Sequence, residues 1–430
     1  MRRAPQLAVL AAGAVLAASA AAPPAAADPR PPGRDIGRET LAENDGWASA
    51  EGGTTGGAAA DDADVSTVRT WDALKRAVRG DHPKIVYVEG DISAMTGADG
   101  ARLECADFAD PAYDWDAYVD AFDPGHWEGG EDGPLAEARD RSYRAQREHV
   151  LLTPGSNTTI VGVGGASLSD GGILLESVEN VIVRDLGVHD AYDCFPEWRG
   201  EDWDAEYDNI EVSRSRHVWL DHLTLTDGDT RDSGLEHVYG EQVDRHDGMV
   251  DVVRGSDLVT VSWNVLDGHD KTMLIGNTDS NRHGDRGRLR VTVHHNHFTD
   301  VTQRAPRVRY GQVHVYNNHY THGSGTDYPY QYSWGAGVES GIYAQNNSFD
   351  MAPGIAPEDT VVSWGGTALY EEGTLFAGRY VDLLDAYNEA HPEAPLSSDV
   401  GWEPERHGKI HPTRAVPHLV PAKAGAGRLH

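Results

Sequence analysis

The sequence has few basic residues for its length, and this scarcity excludes two classes of partner. Its 430 residues contain 36 lysines and arginines against 69 aspartates and glutamates, a formal net charge of −33. Such a chain is repelled by nucleic acid and by anionic membrane surfaces, so we expect neither as a partner. The same charge disfavours an anionic substrate unless cations are concentrated where it binds.

Cysteine is nearly absent: only Cys105 and Cys194 occur. In an oxidising compartment, one disulfide between them is the economical interpretation. It would close a loop of about 90 residues and stabilise the fold by about 4–5 kcal/mol in the chain-entropy model. Two unpaired buried thiols are the alternative. Neither thiol catalysis nor a zinc site is indicated.

Long apolar runs are missing beyond the N-terminus. Arg2 and Arg3 precede an apolar run from Leu7 to about Ala20, and small residues continue to Ala27. This pattern predicts a signal peptide over residues 1–27 and a secreted, extracellular protein, by the Sec or the Tat route. No later stretch reaches about 18 apolar residues, so no membrane span is expected. We expect a monomer.

The composition divides the rest of the chain in two. Residues 28–62 are rich in Gly, Ala, Asp and Thr and predict a flexible leader. Residues 63–430 predict a single domain with an excursion at about 100–149. Helices are predicted over 70–79, from Pro134 to about Gln146, and over 379–390, where Pro392 ends the last one.

Six β-rich runs align with one another in the part of the chain that follows Thr158. Their first residues are Asn180, His217, Leu258, Arg290, Gln312 and Gly341. Self-similarity with a shortest step of about 22 residues predicts a solenoid. Further short strands precede several runs and no helix recurs, so we predict an all-β parallel β-helix, with peripheral loops and short helices at its ends.

Asparagine recurs at the seventh position of four of these runs. The four residues are Asn264, Asn296, Asn318 and Asn347. Because stacked coils lie about 4.8 Å apart, we expect their amides to form a ladder inside a bend of the solenoid. Asparagines in surface turns are the alternative.

Charged residues cluster at the edges of these strand-like runs. Asp247 and Asp251 flank Gly248, Lys271 follows twenty residues later, and Arg304 and Arg309 come after another run. Residues i and i+4 of a straight strand lie about 13 Å apart, too far to share a metal ion. We therefore expect a bend that Gly248 permits. The set predicts a site for a cation and an acidic substrate.

Four segments together resemble the pectate lyases of polysaccharide lyase family 1. They are 218–222 (VWLDH), 246–252 (HDGMVDV), 269–271 (HDK) and 304–309 (RAPRVR). The resemblance extends from about residue 70 to 402. It implies a right-handed parallel β-helix that uses Ca²⁺ to cleave α-1,4-linked polygalacturonate (pectate) by β-elimination, giving unsaturated oligogalacturonides.

The resemblance also implies roles for individual residues. Asp208, Asp247 and Asp251 correspond to calcium ligands, and Glu206 is a candidate fourth ligand on the same strand as Asp208. Carboxylates suit Ca²⁺, which prefers six to eight oxygen ligands.

Three basic residues have implied roles in the reaction. Lys271 is expected to bind substrate and to stabilise the developing negative charge, and Arg309 to bind a substrate carboxylate. Arg304 corresponds to the catalytic base. Because arginine is protonated in nearly all proteins, either Arg304 or a hydroxide that it holds removes the proton.

Other interpretations stay open at this stage. A pectin lyase acting on methyl-esterified chains, a polygalacturonase-type hydrolase with flanking carboxylates, and a β-helical binding protein without activity are the rivals. Endo or exo action and the number of calcium ions are undetermined. We interpret Asp221 and His222 as structural, Trp219 as a packing residue, and Arg307 as pointing away from the site.

Overall fold

The computed structural model describes residues 1, 35–127, 129 and 133–429. The predicted signal peptide lies outside the described residues except for Met1. By contacts the chain divides into Met1–Asp35 and Ile36–His430, and every helix and strand of the described residues belongs to the second unit.

Most strands of this unit belong to three parallel sheets. Each full coil of the chain contributes one strand to each sheet. The first sheet contains Val65–Val68, the beginnings of Lys84–Ser93 and Thr158–Ser169, Glu179–Arg184, Arg216–Asp221, Asp257–Ser262, Val291–His294, Gln312–Tyr316, Gly341–Gln345 and Leu369–Glu372. The second contains the ends of those two long strands, Gly187–His189, Thr224–Thr226, Val265–Lys271, His297–Gln303, His319–His322, Ser348–Met351 and Leu375–Phe376, with Arg379–Tyr380 antiparallel at its end. The third contains Leu151–Leu152, Gly172–Glu176, Ile210–Ser213, Val250–Val253, Leu274–Ile275, Arg307–Val308, Trp334–Gly337 and Val361–Trp364. The fold is the predicted right-handed parallel β-helix.

Alternation along each strand explains why the coils stack. In the third sheet Val252, Ile275 and Val308 lie in register and are fully buried inside the solenoid. Their neighbours in sequence point to the outer face, because side chains alternate along a strand. Aromatic rings also stack from coil to coil, as Phe298 does on Tyr320 with centroids 4.9 Å apart. The interior is therefore a continuous apolar column, and polar residues are left for the outer faces.

The asparagine ladder is confirmed. Nδ2 of Asn264, Asn296 and Asn318 each donates to Oδ1 of the next asparagine, at 2.9, 3.0 and 3.2 Å. Each of these Oδ1 atoms also accepts a backbone N–H from the preceding coil. The ladder satisfies buried backbone groups at the bend between the first and second sheets.

Short helices lie around the solenoid. The α-helices are α1 Trp71–Ala77, α2 Trp115–Ala121, α3 Pro134–Val150, α4 Leu383–Ala390 and α5 Val416–Lys423, and 3₁₀ turns span Ile36–Arg38, Trp47–Ser49, Asp62–Asp64, Cys105–Asp107, Asp232–Gly234, Asn281–His283, Pro357–Thr360 and Thr413–Ala415. Two small antiparallel hairpins pair Glu197–Trp198 with Trp203–Asp204 and His237–Val238 with Glu241–Gln242. Among the described residues, no helix combines the length and apolar character needed to cross a membrane.

The disulfide Cys105–Cys194 is present and joins the excursion to the solenoid. This confirms the predicted pairing over the alternative of two free thiols.

The flexible leader, predicted over residues 28–62, was extended too far along the chain. Residues 36–62 pack on the first sheet: Ala48 is buried against Trp219, and Trp47 N–H donates to Thr292 Oγ1 at 2.9 Å. Small residues allow this close packing, for a side chain at Gly57 would meet the Lys84 carbonyl oxygen at 1.9 Å.

Candidate active site

A polar cavity of about 590 Å³ lies on the outer face of the third sheet. It brings together six of the predicted site residues, which are Glu206, Asp208, Asp247, Asp251, Lys271 and Arg304. They come from consecutive coils: Gly248 pairs with Lys271, and Lys271 pairs with Gln303. Residues that are distant in sequence therefore meet because coils stack in register.

Two carboxylates converge on Gly248. A β-carbon at this position would lie 2.8 Å from Asp208 Oδ1 and 2.7 Å from Asp251 Oδ1. Asp208 Oδ1 accepts the Gly248 N–H at 2.7 Å, and Asp251 Oδ1 accepts the Leu274 N–H at 3.0 Å. Gly248 has no left-handed backbone conformation, so its role differs from the predicted one. It leaves room between the carboxylates rather than bending the chain.

The electrostatics of this pair favour a cation. Burial, followed by the charges of Asp251 and Asp247, raises the pKa of Asp208 well above its usual range. Burial and the charge of Asp247 likewise raise the pKa of Asp251 to about 8, although Arg304 opposes the shift. A bound positive charge stabilises the ionised form of carboxylates whose pKa is raised in this way.

Lys271 is surrounded by carboxylates. Its Nζ lies 2.9 Å from Asp244 Oδ2, 3.5 Å from Asp247 Oδ1 and 3.8 Å from Asp204 Oδ1. Burial lowers the pKa of Lys271, but these three carboxylates together raise it above its ordinary value. Lys271 therefore stays protonated and cannot serve as a base.

A buried network supports the backbone of Asp247. His269 Nε2 lies 2.8 Å from the Asp247 carbonyl oxygen, and His269 Nδ1 lies 2.6 Å from Asp227 Oδ1. Tyr328 donates to the other oxygen of Asp227. Asp227 and His269 thus form a carboxylate–histidine pair that holds the backbone of Asp247 in place.

Arg304 follows the second-sheet strand His297–Gln303 and has φ of 58°. This left-handed residue turns the chain towards the third sheet, and its carbonyl accepts the Met273 N–H at 2.7 Å. Its Nε is buried and has no hydrogen-bond partner among the described residues. Arg304 nevertheless lines the cavity, so its positive charge lies beside the carboxylates.

The remaining predicted residues are placed differently. Glu206 lines the cavity, but its Oε2 accepts from Tyr143 at 2.8 Å. Arg309 does not line it; its guanidinium contacts Asp279 and donates to the Gly276 carbonyl at 2.9 Å. Arg307 does not line the cavity, in agreement with the prediction, although it shares a face with Arg309 because residues two apart lie on the same side of a strand. It stacks over Trp364 with 4.5 Å between guanidinium carbon and ring centroid.

Sequence reasoning missed several acids that line the cavity or contact Lys271. Asp204 and Asp244 are the partners of Lys271, and Glu211, paired with Arg254 at 2.7 Å, contributes to the raised pKa of Asp208. Asp244 lies three residues before Asp247, and that proximity was the available signal. Glu211 could have been found from its register with Asp251.

The structural interpretation of the first-sheet residues is supported. Asp221 accepts from Arg184 and Ser262 at 2.7 and 2.8 Å and lies 2.9 Å from His222 Nδ1. Trp219 is buried in an apolar cluster. None of the three lines the cavity described above.

No three His, Cys, Asp or Glu side chains within the described ranges form a ready-made metal site. Two carboxylates converge, whereas Asp247 is engaged with Lys271. Asp208, Asp247 and Asp251 thus form an open acidic cradle beside two cations, Lys271 and Arg304. Such a cradle suits a metal ion that takes further oxygen ligands from water or substrate.

Comparisons with known proteins agree with this geometry. A pectate lyase family model matches residues 37–110 and 129–371. A pectate lyase of Bacillus subtilis (strain 168) is 41% identical over 407 residues, covering 92% of this chain and 95% of the relative. Pectate lyase E of Dickeya chrysanthemi is 35% identical over 81% of this chain and 82% of its own length.

Solved structures give the same result. The thermostable pectate lyase PL 47 superimposes with a TM-score of 0.90 at 42% identity, covering 92% of this chain and all of that chain. A pectate lyase bound to a hexasaccharide superimposes with a TM-score of 0.87 at 39% identity over the same share of this chain. The chain belongs to the pectate lyase family and is a polysaccharide lyase with pectate lyase activity.

Proposed function

We propose that the protein cleaves polygalacturonate by β-elimination assisted by Ca²⁺, with Asp208, Asp247 and Asp251 as metal ligands. The observation that carries this proposal is the convergence of Asp208 and Asp251 on Gly248, in one cavity with Lys271 and Arg304. Glu206 and Glu211 line the same cavity and are candidates for a further ligand.

The residues present fit a calcium ion. Their donors are carboxylate oxygens, which Ca²⁺ prefers, and the raised pKa values of Asp208 and Asp251 show that positive charge is lacking between them. When bound, Ca²⁺ would neutralise a uronate carboxylate and so favour removal of the adjacent C5 proton.

Lys271 and Arg304 supply the positive side chains that the reaction needs. Lys271 is held protonated by its three carboxylates, so it is suited to binding the uronate and stabilising the enolate-like charge. Arg304, or a hydroxide that it holds, takes the C5 proton while the C4–oxygen bond breaks. Arg304 lines the same cavity as the carboxylates, which supports a position beside the substrate.

Arg309 is proposed to bind a substrate carboxylate by exchanging its present partner. Its own side chain is mostly buried, whereas that of Asp279 is 66% exposed. An incoming uronate can therefore displace Asp279 without exposing a buried carboxylate. Bidentate contacts of this kind are typical for arginine.

The test is cleavage of polygalacturonate followed at the ultraviolet absorbance of the unsaturated product, with and without a chelator. We expect absorbance to rise with calcium and to stop with the chelator. A hydrolase would produce reducing ends without absorbance, and a pectin lyase would prefer methyl-esterified chains. Full activity in the chelator would contradict the calcium proposal.

Secretion and the monomeric state stay predictions. The disulfide supports an oxidising compartment and hence export. Sizing of the purified protein by light scattering would test the monomer.

A further inference from the structure

A second cavity, of about 500 Å³, lies at the N-terminal end of the third sheet. Lys75, Arg79 and His149 are among its lining residues, as is one carboxylate, that of Glu148. Leu151 lines both this cavity and the candidate active site, so the two are adjacent along the same outer face.

The register of the third sheet gives the separation of the two cavities. Leu152 pairs with Ile173, Ile173 with Ile210, and Ile210 with Val250, beside Asp251. Three strand spacings of about 4.8 Å give about 14 Å between the strand Leu151–Leu152 and the one that carries Asp251. A polysaccharide chain that leaves the active site along the sheet therefore reaches the second cavity.

Two cations, Lys75 and Arg79, line this cavity. Lys75 Nζ donates to the His149 carbonyl at 3.1 Å, which fixes it between α1 and the end of α3. Burial and the charge of Arg79 lower the pKa of Lys75, opposed by Asp72 and Glu148. Across the described part of the chain, no carboxylate lies within ion-pair distance of either Lys75 or Arg79.

The dipole of helix α1 explains only in part why Lys75 and Arg79 lie beside each other. Cations near the C-terminal end of α1 are favoured by the helix dipole, and that holds equally for Arg76. Like charges four residues apart, as in Lys75 and Arg79, destabilise each other. Arg76 and Arg79 are both exposed, but only Arg79 lines the cavity with Lys75. The dipole therefore does not explain why Lys75 and Arg79 converge on one space.

We propose that Lys75 and Arg79 form a distal subsite that binds a uronate carboxylate of the same polysaccharide chain that is being cleaved. This rests on the proposed function, because polygalacturonate carries one carboxylate per sugar. In a protein of net charge −33, such a subsite also offsets the repulsion between enzyme and polyanion.

The test compares Arg79→Gln with Arg76→Gln, which remove the same charge from neighbouring positions, and adds Lys75→Gln. Initial rates are measured on polygalacturonate and on the shortest oligogalacturonate that the wild type cleaves. Arg79→Gln and Lys75→Gln should each raise KM for the polymer about threefold or more, with kcat and the constants for the short substrate unchanged. Arg76→Gln should leave both substrates unaffected.

Two results would overturn the distal subsite. One is an equal rise in KM for Arg79→Gln and Arg76→Gln, which would indicate a general charge effect. The other is an equal change on short and long substrates, which would place the effect in the active site. Failure of the proposed function is distinguishable, because the wild type would then produce no unsaturated product from either substrate.

Discussion

Gly248 shows how a missing side chain shapes the candidate site. The carboxylates of Asp208 and Asp251 occupy the space that a β-carbon would need, at 2.8 and 2.7 Å. Gly248→Ala should push them apart and weaken calcium binding about tenfold or more, since a forced methyl group typically costs 1–3 kcal/mol. Calcium titration by calorimetry would measure the change.

The matched control for this substitution is Gly234→Ala. No atom lies within 4 Å of a β-carbon at Gly234, and its φ is not in the left-handed region. The control should bind calcium like the wild type, and both variants should keep the wild-type circular dichroism spectrum. Unchanged calcium affinity in Gly248→Ala would show that the two carboxylates do not act together.

Single residues were predictable where chemistry is concentrated in a short motif. Asp247, Lys271 and Arg304 were identified in this way, and the structure brings them into one cavity. Asp204 was not, because its relation to Lys271 exists only after the coils and a hairpin have met. Arg309 was identified, but no motif could predict that Asp279 contacts its guanidinium.

At the scale of elements, the asparagine ladder joins successive coils at one bend. Asn296 occupies its interior, accepting from the N–H and Nδ2 of Asn264 and donating to Asn318 and to the Val261 carbonyl. Asn296→Ala leaves several buried groups without partners, each costing about 1–3 kcal/mol, so we expect a loss of about 3 kcal/mol or more. Denaturant unfolding with calcium present would measure it.

A surface asparagine separates the ladder from a general effect of the substitution. Asn281 is exposed and accepts one backbone N–H, from Arg286. Asn281→Ala should cost less than about 1 kcal/mol, because the freed group can bond to water. Comparable losses for the two variants would mean that the ladder adds nothing to the joining of coils.

Elements were predictable where a pattern repeats. The runs that form the first and second sheets keep one register, so alignment revealed them. Short strands before these runs were also predicted, but the third-sheet strands Leu274–Ile275 and Arg307–Val308 have two residues each, so alternation could not fix their bounds. The segment 36–62 was misread as flexible because its partners are remote: Trp47 bonds to Thr292, 245 residues away.

At the scale of the whole molecule, the acidic cradle links stability to pH and calcium. Without metal, the folded state holds the proton of Asp251 up to a pKa of about 8, whereas an unfolded aspartate releases it near 3.9. Between these values the unfolded state binds fewer protons, so this group makes stability fall as pH rises. Bound calcium removes the penalty, and the calcium-induced rise in Tm should be larger at pH 8.5 than at pH 5.

Other groups titrate over the same range, so the decisive comparison is between the wild type and Asp251→Asn in chelator. The amide oxygen of the variant can still accept the Leu274 N–H, but it carries no charge to repel Asp208 and Asp247. Metal-free Asp251→Asn should therefore melt above the metal-free wild type at pH 8.5, exceed it by a clearly smaller margin at pH 5, and respond little to calcium. A variant that melts below the wild type at pH 8.5 would show that the carboxylate stabilises the fold by itself. Repulsion among Asp208, Asp247 and Asp251 would then not be what calcium relieves.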